Sequence, residues 1–316
     1  MTTDSTTAAA GSTTTSTEPG TDRAADRAAA RRNPLGVHAL VFVGDTSPAS
    51  VESAVRRTAE AGFDLLEFSL HDSINLDRAA TRALLQEHGL SAACSRGLAP
   101  DADVSSDDPA VVARGQELLR QSLALTADIG ATVLTGALYS AFGKAAAPLT
   151  RTGRDHVVGV LSELAQEAAP LGVTLGLEVC NRYETNVVNT ARDAVRLADD
   201  IGADNVMVHL DTYHMNIEED DFVQPVLDTG DRLGYVHIGE NHRGYLGSGH
   251  LDFASFFGAL QRIDYRGAVT FESFSSAVLA PGLSNDLAIW RNLWDDGDDL
   301  ARSAREFLDA GLSSSA

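Results

Sequence analysis

From residue 35 onward, short apolar runs alternate with longer stretches whose apolar positions recur every three or four residues. The runs are "LGVHALVF" (35–42), "FDLLEFSL" (63–70), "LSAACSRG" (90–97), "ATVLTGAL" (131–138), "VTLGLEVC" (173–180), "NVMVHLD" (205–211), "GYVHIGE" (234–240) and "GAVTFES" (267–273). Each is the length of a strand and nearly continuous in apolar character, as parallel strands covered on both faces should be. The stretches between them read as amphipathic helices. Five of these end in a glycine just before the next strand (Gly62, Gly89, Gly130, Gly172 and Gly202), where C-capping favours that residue. Eight such units predict an α/β chain folded as a single-domain (β/α)8 TIM barrel. An open doubly wound sheet would more often carry a glycine-rich phosphate turn after its first strand, and "FVGDTS" lacks the G-x-G-x-x-G spacing.

The first 32 residues break this rhythm. "MTTDSTTAAAGSTTTSTEPGTD" is a polar Thr/Ser/Ala-rich tract, expected to be a disordered tail ahead of a barrel domain at 33–316. It has no apolar h-region and carries acidic residues, so it does not read as a secretory signal. No run of about 18 apolar residues occurs, so no membrane span is expected. The formal charge of −21 argues against nucleic acid as a partner. Cys94 and Cys180 lie in apolar segments and read as buried thiols of a reducing cytoplasm.

Active sites of such barrels lie at the C-terminal ends of the strands. Strand 5 ends with Glu178, strand 6 with Asp211, strand 7 with His237 and strand 8 with Glu272. A buried charge without a partner is costly, and four such groups converging on one rim are best explained by a shared cation. An oxygen-rich set with one imidazole favours Mn²⁺, Mg²⁺ or Co²⁺ over a thiolate-type zinc site. In "HLDTYHMN", His209 lies two residues below Asp211 on the same strand face and reads as a barrel-interior residue, whereas His214 falls past the strand, in a loop. Glu67, at the end of strand 2, is either a partner of the site or an ordinary rim pair. The glycine-rich "GYLGSGH" (244–250) reads as a tight loop feeding an N-cap near Asp252, with a phosphate site as the alternative. His242 and His250 read as surface or rim groups. Trp290 and Trp294 read as a helix packing stripe.

The segments "LEVCNRYETN", "HLDTYHMNIEE", "HIGENHRGYLGSGHLDF" and "TFESF" resemble the ketose 3-epimerase family, and the resemblance runs over residues 35–310. It implies that Glu178, Asp211, His237 and Glu272 hold a divalent metal, most simply Mn²⁺, and that Glu178 and Glu272 also act as the acid and base. It implies substrate contacts at Glu184, His214 and Arg243. It further implies C3 epimerisation of a free ketose of the D-tagatose, D-allulose/D-fructose or L-ribulose type by a homodimer or homotetramer. Another metal-dependent sugar isomerase or an inosose dehydratase on the same rim is the nearest rival. The loop "LVFVGDTSP" and the segment "LYSAFGKAAAPLT" (138–150) depart from the best-known members, which places substrate preference there.

Overall fold

Eight parallel strands pair in chain order and close on themselves: β1 (Leu35–His38), β2 (Leu65–Ser69), β3 (Ser91–Ser95), β4 (Val133–Thr135), β5 (Thr174–Glu178), β6 (Val206–Asp211), β7 (Leu233–Ile238) and β8 (Ala268–Phe271). Closure sets Leu35 of β1 opposite Val269 of β8. The computed structural model describes residues 1–2, 33–71 and 76–314, so the tail expected over 1–32 lies almost wholly outside the described residues. Helices α1 (Pro48–Glu60), α2 (Arg78–Glu87), α3 (Pro109–Asp128), α4 (Arg151–Ala168) and α5 (Ala191–Ile201) follow the first five strands. Two short helices follow β6, α6 (Thr212–Glu218) and α7 (Gln224–Thr229), and α8 (Phe253–Arg262) follows β7. After β8 come α9 (Pro281–Asp286) and α10 (Gly297–Ser314).

Local signals explain the helix limits. Thr190 and Asp193 form a reciprocal capping box at the start of α5, and Gly202 closes that helix at a left-handed φ of 70°. The other four C-terminal glycines foreseen from the sequence also take positive φ. Asp252 caps α8 by accepting from the amide of Ser255.

Alternation along the strands separates two packing layers. On β2, Leu66 and Phe68 join the main core beneath the helices, while Leu65 joins Ala93 and Tyr235 in a separate cluster. Leu65 and Glu67 therefore face the barrel interior. Small residues make that interior possible. A Cβ on Gly36 would come within 2.4 Å of Thr270 Oγ1, and one on Gly176 within 2.3 Å of Thr135 Oγ1. A bulge between β6 and β7 pairs Val208 with Leu233 but His209 with Tyr235, which leaves Gly234 as the extra residue. Above it, Asp211 comes opposite His237.

Three expectations need correction. The first run stops as a strand at His38, because that ring's Nδ1 accepts from the Leu40 amide at 3.2 Å and starts a 3₁₀ turn over Ala39–Val41. His214 is in a helix, not a loop: Asp211 caps α6 by accepting from the Tyr213 amide at 2.7 Å. Trp290 and Trp294 form no helical stripe, since they lie in the connection between α9 and α10. Trp294 is buried there, whereas Trp290 is 68% exposed.

Candidate active site

Glu178 ends β5, Asp211 ends β6, His237 is the penultimate residue of β7 and Glu272 directly follows β8. All four are buried. His237 Nδ1 lies 3.5 Å from Oε1 of Glu178 and 3.5 Å from Oε1 of Glu272. Asp211, His237 and Glu272 each offer a ligand atom within 4.8 Å of the others. Asp211 uses Oδ1 on the α6 amide, while its Oδ2 and His237 Nδ1 are buried without a hydrogen-bond partner. A buried polar atom left in that state costs about 1–3 kcal/mol, so these two beside the Glu178 and Glu272 carboxyl groups make a cradle that suits a cation.

Burial pushes the Asp211 carboxyl up to about 8, despite the pull of Arg243. Burial likewise raises Glu178. Burial also works against an ionised Glu272, but His237 and Arg243 outweigh it and hold this carboxyl below its usual range. Burial opposes charge on His237, yet Glu67 and Glu272 favour it and keep the imidazole well above its ordinary value.

The three expected substrate contacts surround this group. His214 Nδ1 accepts from the Asn181 amide at 3.1 Å, which leaves the proton on Nε2. That Nε2 lies 3.5 Å from Asp211, 3.7 Å from Glu184 and 3.9 Å from Glu178. Burial holds His214 well below the usual imidazole range, reinforced by the charges of Arg243 and His237, so it is a neutral donor. Glu184 accepts from Asn181 Nδ2 at 2.9 Å, and burial pushes its carboxyl up to about 7.

Arg243 is buried at a left-handed φ of 62°. Its guanidinium lies 3.7 Å from the Tyr213 ring centroid and 4.7 Å from that of Phe274, a stacked cation–π arrangement. It is paired with Glu272 and lies 3.7 Å from Asp211 Oδ2. The cleft above these groups is open to solvent, with Phe142, Leu283 and Leu287 among its apolar walls. Phe142 lies in the 138–150 segment where substrate preference was expected.

Beneath the rim lies a layer that the sequence reading only touched. Glu67 and His209 are fully buried interior residues. Glu67 contacts His237, while His209 Nδ1 is 2.8 Å from Thr135 Oγ1 and its ring meets His237 edge-on at 4.2 Å. His38, Tyr235 and Asn181 were missed. The signal for Tyr235 was its position two residues below His237, as His209 stands below Asp211.

The glycine-rich loop after β7 is folded around a carboxylate. Buried Glu240 accepts from the amides of Asn241 and Gly247 at 3.1 and 3.0 Å. Those donors are committed to an anion of the protein itself, which supports the tight-loop reading over a phosphate site. His250 is exposed and His242 half-buried. Cys94 and Cys180 are free and buried, and burial pushes Cys94 up to about 12. Among the described residues, no helix is long and apolar enough to cross a membrane.

A parallel eight-stranded barrel with this rim defines the class, and residues 55–310 match the family described as xylose isomerase-like TIM barrel. An L-ribulose 3-epimerase of Methylomonas sp. (strain DH-1) is 51% identical over 88% of this chain and 97% of its own length. A ketose 3-epimerase of Arthrobacter globiformis is 49% identical over 87% of this chain and 95% of its own. The crystal structure of a Methylomonas D-allulose 3-epimerase in complex with D-allulose superposes with a TM-score of 0.86 at 50% identity, covering 88% of this chain and 97% of that one. The chain belongs to the ketose 3-epimerases of that barrel family, isomerase-class enzymes acting on sugars.

Proposed function

We propose that this chain epimerises free ketoses at C3 with a divalent cation held by Glu178, Asp211, His237 and Glu272. The observation that carries the metal reading is the pair of buried atoms without a hydrogen bond, Asp211 Oδ2 and His237 Nδ1, set among carboxylates. The oxygen-rich donor set suits Mn²⁺ first, with Mg²⁺ and Co²⁺ as alternatives. Such a cation would supply Lewis-acid polarisation of the substrate carbonyl next to C3.

The chain's own groups do the rest. One of Glu178 and Glu272 takes the C3 proton, and the electron pair moves into the C2 carbonyl to give an enediolate. The other carboxyl returns a proton to C3 from the opposite face, and the roles reverse in the reverse reaction. Their origins on β5 and after β8, on either side of His237, allow them to flank a ring-opened sugar. Their environments push them apart. Glu178 is raised by burial, whereas Glu272 is lowered by its cationic neighbours despite burial. Arg243 and the Nε2–H of His214 donate to the O1–O3 region and stabilise charge developing there. Glu184 orients His214 or a substrate hydroxyl. Substrates of the D-tagatose, D-allulose/D-fructose and L-ribulose type fit this chemistry, with the walls around Phe142 and Leu283 selecting among them.

The test is chelated enzyme incubated with each ketose in D₂O, with Mn²⁺, Mg²⁺ or Co²⁺ added back and products followed by NMR. The expected result is cation-dependent formation of the C3 epimer with deuterium entering at C3. Turnover indifferent to chelation would refute the metal reading, and an aldose or dehydrated product would refute the reaction.

A further inference from the structure

Glu67 is a fully buried carboxylate that the reaction outlined above does not use. It projects from β2 across the barrel interior to β7. Its Oε2 accepts from the Tyr235 hydroxyl at 2.8 Å and from His237 Nε2 at 2.8 Å. The Tyr235 oxygen accepts in turn from Thr270 Oγ1 at 2.8 Å, so its own proton is committed to Glu67. Glu67 Oε2 thus already accepts the one proton that Tyr235 offers, and its 2.8 Å contact with Nε2 leaves His237 as the second donor, so that ring keeps a proton on Nε2.

The opposite ring nitrogen, Nδ1, is then the atom that faces the rim. It lies 3.5 Å from Glu178 and from Glu272 and is buried without a hydrogen-bond partner. Other neighbours fix the ring without competing for that proton. His209 packs edge-on at 4.2 Å with its own Nδ1 engaged by Thr135. His38 Nε2 stays 3.6 Å from the second oxygen of Glu67, and its Nδ1 is taken by the Leu40 amide.

We propose that Glu67 is the positioning residue of the rim: by accepting from His237 Nε2 it fixes the tautomer and rotation of that ring, so that Nδ1 presents a lone pair to the cation. This rests on the metal reading above. The partner of a ligating imidazole is worth about 10- to 100-fold in metal affinity.

The experiment compares the full-length wild type with Glu67→Gln and Tyr235→Phe, reading Mn²⁺ affinity by calorimetry and the His237 ring nitrogens by ¹⁵N NMR with Mg²⁺ bound. Tyr235→Phe removes one donor to Glu67 but leaves the His237 contact. Expected are a 10- to 100-fold loss of Mn²⁺ affinity in Glu67→Gln, with loss of the uniform Nε2–H signature. Tyr235→Phe should stay within about threefold of wild type, because the His237 contact that sets affinity is intact. Wild-type affinity in Glu67→Gln overturns the proposal while leaving the metal site standing. An equal loss in Tyr235→Phe also overturns it, since Glu67 would then act through interior packing. A wild type that binds no Mn²⁺ refutes the metal reading itself, a separate and visible failure. Should Glu67→Gln not fold, the same comparison is read on Glu67→Asp. That variant keeps the charge but withdraws the carboxylate by one methylene, and unchanged affinity there overturns the proposal.

Discussion

Replacing Glu184 by glutamine should stabilise the metal-free protein while impairing the reaction. The side chain is only 17% exposed, and burial moves its carboxyl from 4.5 up to about 7. Between those two values the native state keeps a proton that the unfolded chain has lost. Stability therefore falls as pH rises through this window and stays lower above pH 7. A displacement of that size corresponds to about 3 kcal/mol. Glutamine retains an oxygen for Asn181 Nδ2, which bonds Glu184 at 2.9 Å, and carries no charge to desolvate. The assay is urea unfolding of wild type and Glu184→Gln in chelator at pH 5 and pH 8. The glutamine variant should gain about 2–3 kcal/mol on wild type between the two pH values, with most of the gap open at pH 8. A difference that does not change with pH, or a variant less stable at pH 8, would refute the burial argument. Epimerisation by the variant with cation restored should drop, because the carboxylate lies 3.7 Å from Nε2 of His214, the atom proposed to donate to the sugar.

Glu178→Gln and Glu272→Gln should each abolish deuterium exchange at C3, and near-wild-type exchange in either would sink the two-carboxylate assignment. Arg243→Ala should weaken turnover less than either, measured as kcat/KM on the same ketose, and complete loss would give the arginine a larger role than charge stabilisation. Gly176→Ala should cost about 1–3 kcal/mol by overpacking against Thr135. Gly159→Ala, with no atom within 4 Å of the added methyl, should stabilise α4 by about 0.5–1 kcal/mol. Thermal unfolding of the pair checks both, and equal midpoints would contradict the reading of the barrel interior.

The eight units were legible because every strand is sealed on both faces and so leaves an uninterrupted apolar run. The rim residues were legible because each interrupts or ends such a run. Where reading failed, a side chain had replaced a backbone partner. His38 accepts from the Leu40 amide and turns a strand into a 3₁₀ turn, and Asp211 accepts from the Tyr213 amide and starts a helix where a loop was expected. Neither bond has a periodicity. The layer of Glu67 and Tyr235 was faint for another reason: it is a long-range contact between residues 168 positions apart, and a polar residue in an apolar strand gives no hint of its partner.

Arg243 shows why the sequence carried the residues of the site better than its electrostatics. Arg243 was expected as a substrate contact, but nothing in "NHRGY" shows that its guanidinium is buried between Tyr213 and Phe274. A cation in a dry site stabilises nearby anions far more than one in water. Here it is paired with Glu272 and not with Glu178, which instead faces His237 and His214. That placement adds to His237, the larger cationic influence, in lowering Glu272, and it comes from a residue 29 positions away that takes a positive φ. A lysine there would keep the charge but lose both the planar stacking and the fork of donors.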